Sequence, residues 1–197
     1  MFTGIVQGIG KIDSVKKCDK SIKLAVIAGS FLDGTSVGDS ISINGVCLTV
    51  TSVDNKIFNA DVVLETINKT NLKYLSVGDN VNLEKAMSAS SRFDGHIVQG
   101  HIEGTGLVVK IIKEEENFIV KIKISDDLLK YCIHKGSIAI NGVSLTIARI
   151  EENIIDIWII PHTLSHTTFG LISTNDIVNI ETDIIAKYVE KMLIKQK

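Results

Sequence analysis

A chain of 197 residues, 45% of them hydrophobic, is long enough to bury one large core or two small ones. Its 21 basic and 23 acidic side chains leave a net charge of −2 with no basic stripe, which argues against a nucleic-acid partner. Cys18, Cys47 and Cys132 are odd in number and form no CxxC pair, and no run reaches the ~18 consecutive apolar residues of a membrane span. With no basic, apolar leader in Met1–Val6, a soluble protein in a reducing cytoplasm is expected, with no disulfide framework and no membrane partner.

In chain order, short β runs such as Ile22 to Ile27, Ser40 to Val53 and Ile57 to Leu64 are separated by Gly, Asp and Asn turns, the pattern of a small all-β barrel. Within Ser40 to Val53 the apolar positions are odd at Ile41 and Ile43 but even at Val46, Leu48 and Val50. The inward face therefore changes parity at Asn44-Gly45, which predicts a bulge or tight turn there. Past it, Cys47 and Thr49 point away from the core. Glu65 to Leu75 reads as a short helix or helical turn, and Ser88 to Gly95 as a polar linker.

The same unit then recurs. Ser40 to Val50 laid on Ser137 to Ile147 matches at eight of eleven positions, a shift of 97 residues from Asn44 to Asn141. That shift carries Glu65-Thr66 onto His162-Thr163, Thr70 onto Thr167, and Asp79, Val81, Asn82 and Glu84 onto Asp176, Val178, Asn179 and Glu181. Nearer the start of each copy the shift is 96, pairing Gly4, Gly8 and Gly10 with Gly100, Gly104 and Gly106. One residue was gained in between, and the turn near Glu114 to Asn117 is the expected place. Residues 1–96 and 97–182 are thus two β domains. Residues 183–197 follow as a helix, with Asp183 as N-cap, an apolar stripe at Ile185, Val189 and Met192, and lysines at its end. It is too short to stand alone and its stripe needs a cover.

Several groups could carry chemistry. Cys47 alone reads as a small strand hydrophobe, but Thr49 lies beside it on the same face. His101 sits between Gly100 and Gly104, where glycines let backbone approach a ligand closely. His162 and His166 have the i, i+4 spacing of two metal ligands, yet no third ligand accompanies them, and no metal is expected. Gly4-xxx-Gly8-x-Gly10 lacks the order of a dinucleotide fingerprint.

The opening Met1-Phe2-Thr3-Gly4-Ile5-Val6, the strand Asn44-Gly45-Val46-Cys47-Leu48-Thr49-Val50-Thr51, Gly95-His96 to Gly100-His101, and Gly142-Val143-Ser144-Leu145-Thr146 resemble the riboflavin synthase family over nearly the whole chain. The resemblance implies two six-stranded Greek-key β-barrels with a C-terminal helix that gathers three chains. It further implies a transferase that dismutates two molecules of 6,7-dimethyl-8-ribityllumazine, by four-carbon transfer, into riboflavin and 5-amino-6-(D-ribitylamino)uracil without cofactor or metal. Lumazine synthase, which makes the substrate, becomes a candidate partner. Carried over by position, a first pocket would use Gly4, Ile5, Val6, Ser40, Cys47, Leu48, Thr49 and the stretch Asp61, Val62, Val63, Leu64, Glu65, Thr66. A second would use Gly100, His101, Ile102, Lys135, Ser144, Leu145, Thr146 and Trp158, Ile159, Ile160, Pro161, His162, Thr163. Phe2, Thr3, Cys47 and His101 are the expected catalytic set. Two positions depart from the family pattern, His162 standing in place of Glu and Asn141 in place of Asp. The second departure is expected to alter a carboxylate near the reacting ring.

Overall fold

The computed structural model describes residues 1–194 and forms two closed antiparallel barrels. The first comprises β1 (Gly8–Cys18), β2 (Ser21–Ile27), β3 (Ser40–Ile43), β4 (Val46–Asp54), β5 (Ile57–Val63) and β6 (Asn80–Lys85), closed in the order 1-2-5-4-3-6. The second repeats that ring with β7 (Gly104–Glu114), β8 (Asn117–Lys123), β9 (Ser137–Ile140), β10 (Val143–Glu151), β11 (Ile154–Ile159) and β12 (Ile177–Thr182). Each ring encloses its own apolar core. Ile41, Ile43, Val46, Leu48 and Val50 point into the first, and Ile138, Ile140, Val143 and Ile147 into the second. Closure leaves no free sheet edge.

The parity change at Asn44-Gly45 is a two-residue hairpin turn between β3 and β4, with φ of 47° and 84°. Asn141-Gly142 repeats it at 46° and 76°. Asn followed by Gly is what such a turn requires, because both residues must adopt the left-handed region. The expected helical closure consists of α1 (Leu64–Lys69) and then a 3-10 turn, Asn71–Tyr74, started by the Thr70 hydroxyl, which accepts from the Leu72 N–H. The second copy has α3 (Pro161–His166) and a matching turn started by Thr167. Residues 88–95 carry no helix or strand, as a linker should.

The extra residue of the second copy does not lie at Glu114 to Asn117. Cys18 pairs with Ser21 as Glu114 pairs with Asn117, so the two hairpins are equal in length. The 96-residue shift persists to the buried pair Leu32 and Leu128, and has become 97 by Asp39 and Gly136, whose carbonyls accept from Val50 and Ile147. The gain falls between them, where the first copy makes a 3-10 turn (Gly29–Leu32) and the second a wider α-helical one, α2 (Asp126–Leu129). A wider turn absorbs one residue without disturbing the flanking strands.

The barrels meet at a polar seam. The two Asn-Gly turns lie back to back, so closely that a Cβ on Gly45 would sit 2.7 Å from the Gly142 nitrogen, and one on Gly142 2.7 Å from the Gly45 nitrogen. Around them, Asn82 Nδ2 donates to the Asn141 carbonyl (2.9 Å) and Asn179 Nδ2 to the Asn44 carbonyl (2.8 Å). Asn141 is therefore a seam residue. Its buried Oδ1 accepts from the Asn179 N–H (2.8 Å) and from Asn71 Nδ2 (3.1 Å), which corrects its expected place beside a reacting ring. Both interactions use only acceptor capacity, and an Asp would supply the same.

Beyond β12, Asp183 Oδ1 accepts from the Ile185 N–H (3.0 Å) and starts α4 (Ile184–Ile194). One face docks on the second barrel through Lys187 to Glu103 (2.6 Å) and Glu190 to Tyr131. Ile185, Tyr188, Val189, Met192 and Leu193 stay exposed. Residues 195–197 of the expected helix lie outside the described residues.

Candidate functional site

Two short segments, residues 1–6 and 97–102, precede the barrels in their respective copies and cross the seam side by side. Phe2 and Val98 exchange both backbone hydrogen bonds (2.7 and 3.2 Å). Beyond that bridge each segment passes onto the other copy's barrel. The Gly4 carbonyl accepts from the Ser144 N–H (2.7 Å), and the Gly100 carbonyl accepts from the Cys47 N–H (2.9 Å). Val6 packs on the second core and Ile102 on the first. Glycine is required at both crossings: φ is +77° at Gly4 and +80° at Gly100, and an added Cβ would lie 2.7 Å from Ser144 Cβ and 2.5 Å from Cys47 Cβ.

Two buried glutamates hold these segments in place. Glu84 accepts from the Thr3 N–H (2.7 Å), the Thr3 hydroxyl (2.8 Å) and the Gly4 N–H (3.0 Å). Glu181 accepts from the backbone N–H groups of Gln99, Gly100 and His101 at 2.6, 2.8 and 3.0 Å. Burial raises both carboxyls above their ordinary value, against the opposing pull of these donors. Neither residue is among the expected site residues, although the repeat pairs them. The available signal was an acidic residue recurring at the same register within an apolar strand.

The crossing regroups the expected pockets. A cavity of about 360 Å³ is lined by Val46, Cys47, Glu65, Thr66, Lys69 and Thr70 of the first barrel together with Gly100, His101 and Ile102 of the second copy. His101 and Ile102 thus stand with Cys47, and Gly4, Ile5 and Val6 belong with Ser144, the reverse of the expected grouping. Repeats align each segment with its own copy, but the chain delivers it to the neighbouring barrel.

Of the other expected residues, Thr49 and Thr146 are exposed on the outer faces of β4 and β10, and Ser40 is half-buried opposite Thr49. Asp61, Val63, Leu64, Trp158, Ile160, Pro161 and His162 are exposed, and Lys135 is an exposed left-handed residue. Leu48, Val62 and Ile159 turn their side chains into the cores, so only their backbone faces outward. Phe2 is buried with Val98 and Ala139, and Cys47 packs on that cluster. The Thr3 hydroxyl is engaged twice, donating to Glu84 and accepting from the Ile5 N–H (3.2 Å).

One asymmetry stands out around the strand pair Cys47 and Ser144. Ser144 Oγ lies 2.7 Å from Nδ1 of His96, whose Nε2 is buried with no partner among the described residues. Burial lowers the His96 pKa, and the charge of Asp183 works against that shift. A larger opening of about 530 Å³ lies along the seam, lined by Asn71, Asn141, Tyr74 and Leu171 among others, and holds none of the expected site residues. No cluster of three metal-ligating side chains occurs among the described residues, and no helix there is long and apolar enough to cross a membrane.

The lumazine binding domain model matches twice, at residues 3–86 and 99–183, offsets of 96 at the start and 97 at the end. The chain is 43% identical over 196 residues to a riboflavin synthase of Actinobacillus pleuropneumoniae, covering 100% of this chain and 91% of that one. It is 42% identical to a riboflavin synthase of Bacillus subtilis, with coverage of 99% and 91%. Among solved structures it is similar to LumP complexed with 6,7-dimethyl-8-(1'-D-ribityl) lumazine, at a TM-score of 0.85 and 32% identity over 92% of this chain and 99% of that one.

Proposed function

The chain belongs to the riboflavin synthase family, built from two lumazine-binding domains, and we propose that it is itself a riboflavin synthase. It takes two molecules of 6,7-dimethyl-8-ribityllumazine and transfers four carbons from one to the other, giving riboflavin and 5-amino-6-(D-ribitylamino)uracil. The observation that carries this reading is the doubled site. A reaction between two identical molecules is served by two similar pockets, and both copies keep the Val-x-Leu-Thr strand and a crossing glycine at equivalent places.

In the first pocket the ring lies along Cys47 and Thr49 under Gly100–Ile102, with its ribityl chain toward Glu65 and Thr66. In the second it lies along Ser144 and Thr146 under Gly4–Val6, with the chain toward His162 and Thr163. Backbone amides and hydroxyls of this kind match the imide edge of a pteridine. Reaction begins by loss of a proton from the acidic C7 methyl group. Cys47 and His101 serve proton transfer and addition at C7 at one ring, with Phe2 and Thr3 shaping the seam beside them. Ser144, Thr146 and the positioning residue His96 orient the other ring. Stacking the two rings supplies most of the acceleration, since oriented pairs reach effective molarities of roughly 10⁵ M or more. No cofactor is needed.

The exposed stripe on α4 supports assembly into a homotrimer in which the first barrel of one chain faces the second barrel of the next. A cytoplasmic location and association with lumazine synthase complete the reading. One rival is favoured by the likeness to LumP, that of a carrier which binds the lumazine without converting it. Incubating the chain with 6,7-dimethyl-8-ribityllumazine and no cofactor decides between them. Riboflavin forming at half the rate of lumazine loss establishes the synthase, whereas tight binding without turnover establishes the carrier.

A further inference from the structure

Resting on that reading, we propose that the second pocket accepts ribityl ligands bearing a terminal phosphate and that the first rejects them. The difference lies at the pocket mouths. On α1, Glu65 and Lys69 are four residues apart and form an exposed ion pair at 3.2 Å, with the exposed Asp61 preceding them at the end of β5. The 97-residue shift replaces all three, putting Trp158 for Asp61, His162 for Glu65 and His166 for Lys69. Both carboxylates are gone from the second mouth, and two imidazoles stand at the positions of the ion pair.

Those imidazoles are arranged for an anion. Their rings stack with centroids 4.1 Å apart and planes 23° from parallel. Nδ1 of His166 lies 2.9 Å from the His162 carbonyl oxygen and 2.8 Å from Ser165 Oγ, contacts that fix the orientation of the ring. An imidazole N–H donates to an anion's oxygens, so the second mouth offers donors where the first offers carboxylates. A phosphomonoester, carrying −1.5 to −2 charges near neutrality, is such an anion.

The position fits the ligand. In the first pocket Cys47 of β4 and the crossing Gly100 line one cavity together with Glu65 and Lys69 of α1. A ligand with its ring on the strand therefore brings the end of its ribityl chain to the helix. There, a terminal phosphate in the first pocket meets a carboxylate whose ion pair it must compete with. In the second the corresponding positions carry imidazoles. Exchanging a repulsive neighbour for attractive ones at a solvent-screened mouth changes affinity about tenfold.

Flavin mononucleotide and riboflavin, titrated in parallel by flavin fluorescence, test this on the wild type, on an H162E/H166K double variant and on an E65H/K69H double variant. All four positions are exposed, so neither exchange disturbs a core. The wild type should bind one flavin mononucleotide per chain. In H162E/H166K the affinity of flavin mononucleotide relative to riboflavin should fall about tenfold, and E65H/K69H should bind a second molecule. An unchanged ratio in H162E/H166K, two molecules bound by the wild type, or none bound while riboflavin binds would each overturn the proposal. Failure of riboflavin to bind as well would instead overturn the proposed function beneath it.

Discussion

If residues 97–102 rather than residues 1–6 cover Cys47, then Gly100→Ala should disable the first pocket and Gly4→Ala the second. At Gly100, φ is +80° and the new Cβ falls 2.5 Å from Cys47 Cβ and 2.8 Å from the Cys47 nitrogen. An Ala in the left-handed region costs about 1–2 kcal/mol. The overlap is with backbone and a Cβ, so the segment must lift and the Cys47 N–H loses its acceptor, a further 1–3 kcal/mol or so. A local cost near 3 kcal/mol lowers ligand affinity at that pocket about a hundredfold. The assay is protection of the Cys47 thiol by bound riboflavin against an alkylating reagent, in a background with Cys18 and Cys132 replaced by Ser. Gly100→Ala should abolish protection at riboflavin concentrations that saturate the parent, and Gly4→Ala should leave it intact. The opposite pattern would refute the crossed assembly and restore the grouping in which each segment serves its own barrel.

Asn179→Ala removes Nδ2 bonds to the Asn44 carbonyl and to Asn71 Oδ1, and leaves the buried Asn71 N–H without its acceptor. A loss of about 3 kcal/mol, read by urea denaturation, is expected, and a loss below 1 kcal/mol would show that the seam does not hold the barrels. Asn141→Asp keeps both Oδ1 acceptors and should change stability by less than about 1 kcal/mol with turnover intact; a large drop in turnover alone would place this residue back at the chemistry. Glu84 has a folded pKa raised above 4.5, so its contribution to stability is present below the unfolded value and is lost as pH rises through the raised one. The stability of the wild type relative to Glu84→Gln should therefore fall with rising pH across that window, and a rise would mean that the three donors outweigh burial. Removing residues 184–197 should yield monomers with little synthase activity, checked by sedimentation and flavin formation; a fully active monomer would exclude a site shared between chains.

Much of the architecture is legible in the sequence. The duplication is written as identity at a shift of 96 to 97 residues, and the barrel type as short alternating strands. The hairpin at Asn44-Gly45 shows as a change of parity, because a strand's faces alternate with period two and an Asn-Gly turn resets them. The helix start at Asp183 was readable for a similar local reason, since a capping carboxylate acts within its own first turn. Each of these depends on residues a few positions apart.

What the sequence could not hold is the relation of one copy to the other. Alignment of repeats says which residues are equivalent and nothing about which become neighbours, so Gly100 was grouped with Ser144 although its carbonyl binds the Cys47 amide. The same limit hid Glu84 and Glu181, whose role depends on backbone donors about 80 residues away, and made Asn141 look like a group near the chemistry instead of one strut of the seam. Local periodicity determined two barrels and their pocket-lining strands. Only the tertiary structure decided that the chain exchanges its leading segments between them, because that choice is made by hydrogen bonds to buried carboxylates and by back-to-back glycines, interactions with no signature in neighbouring residues.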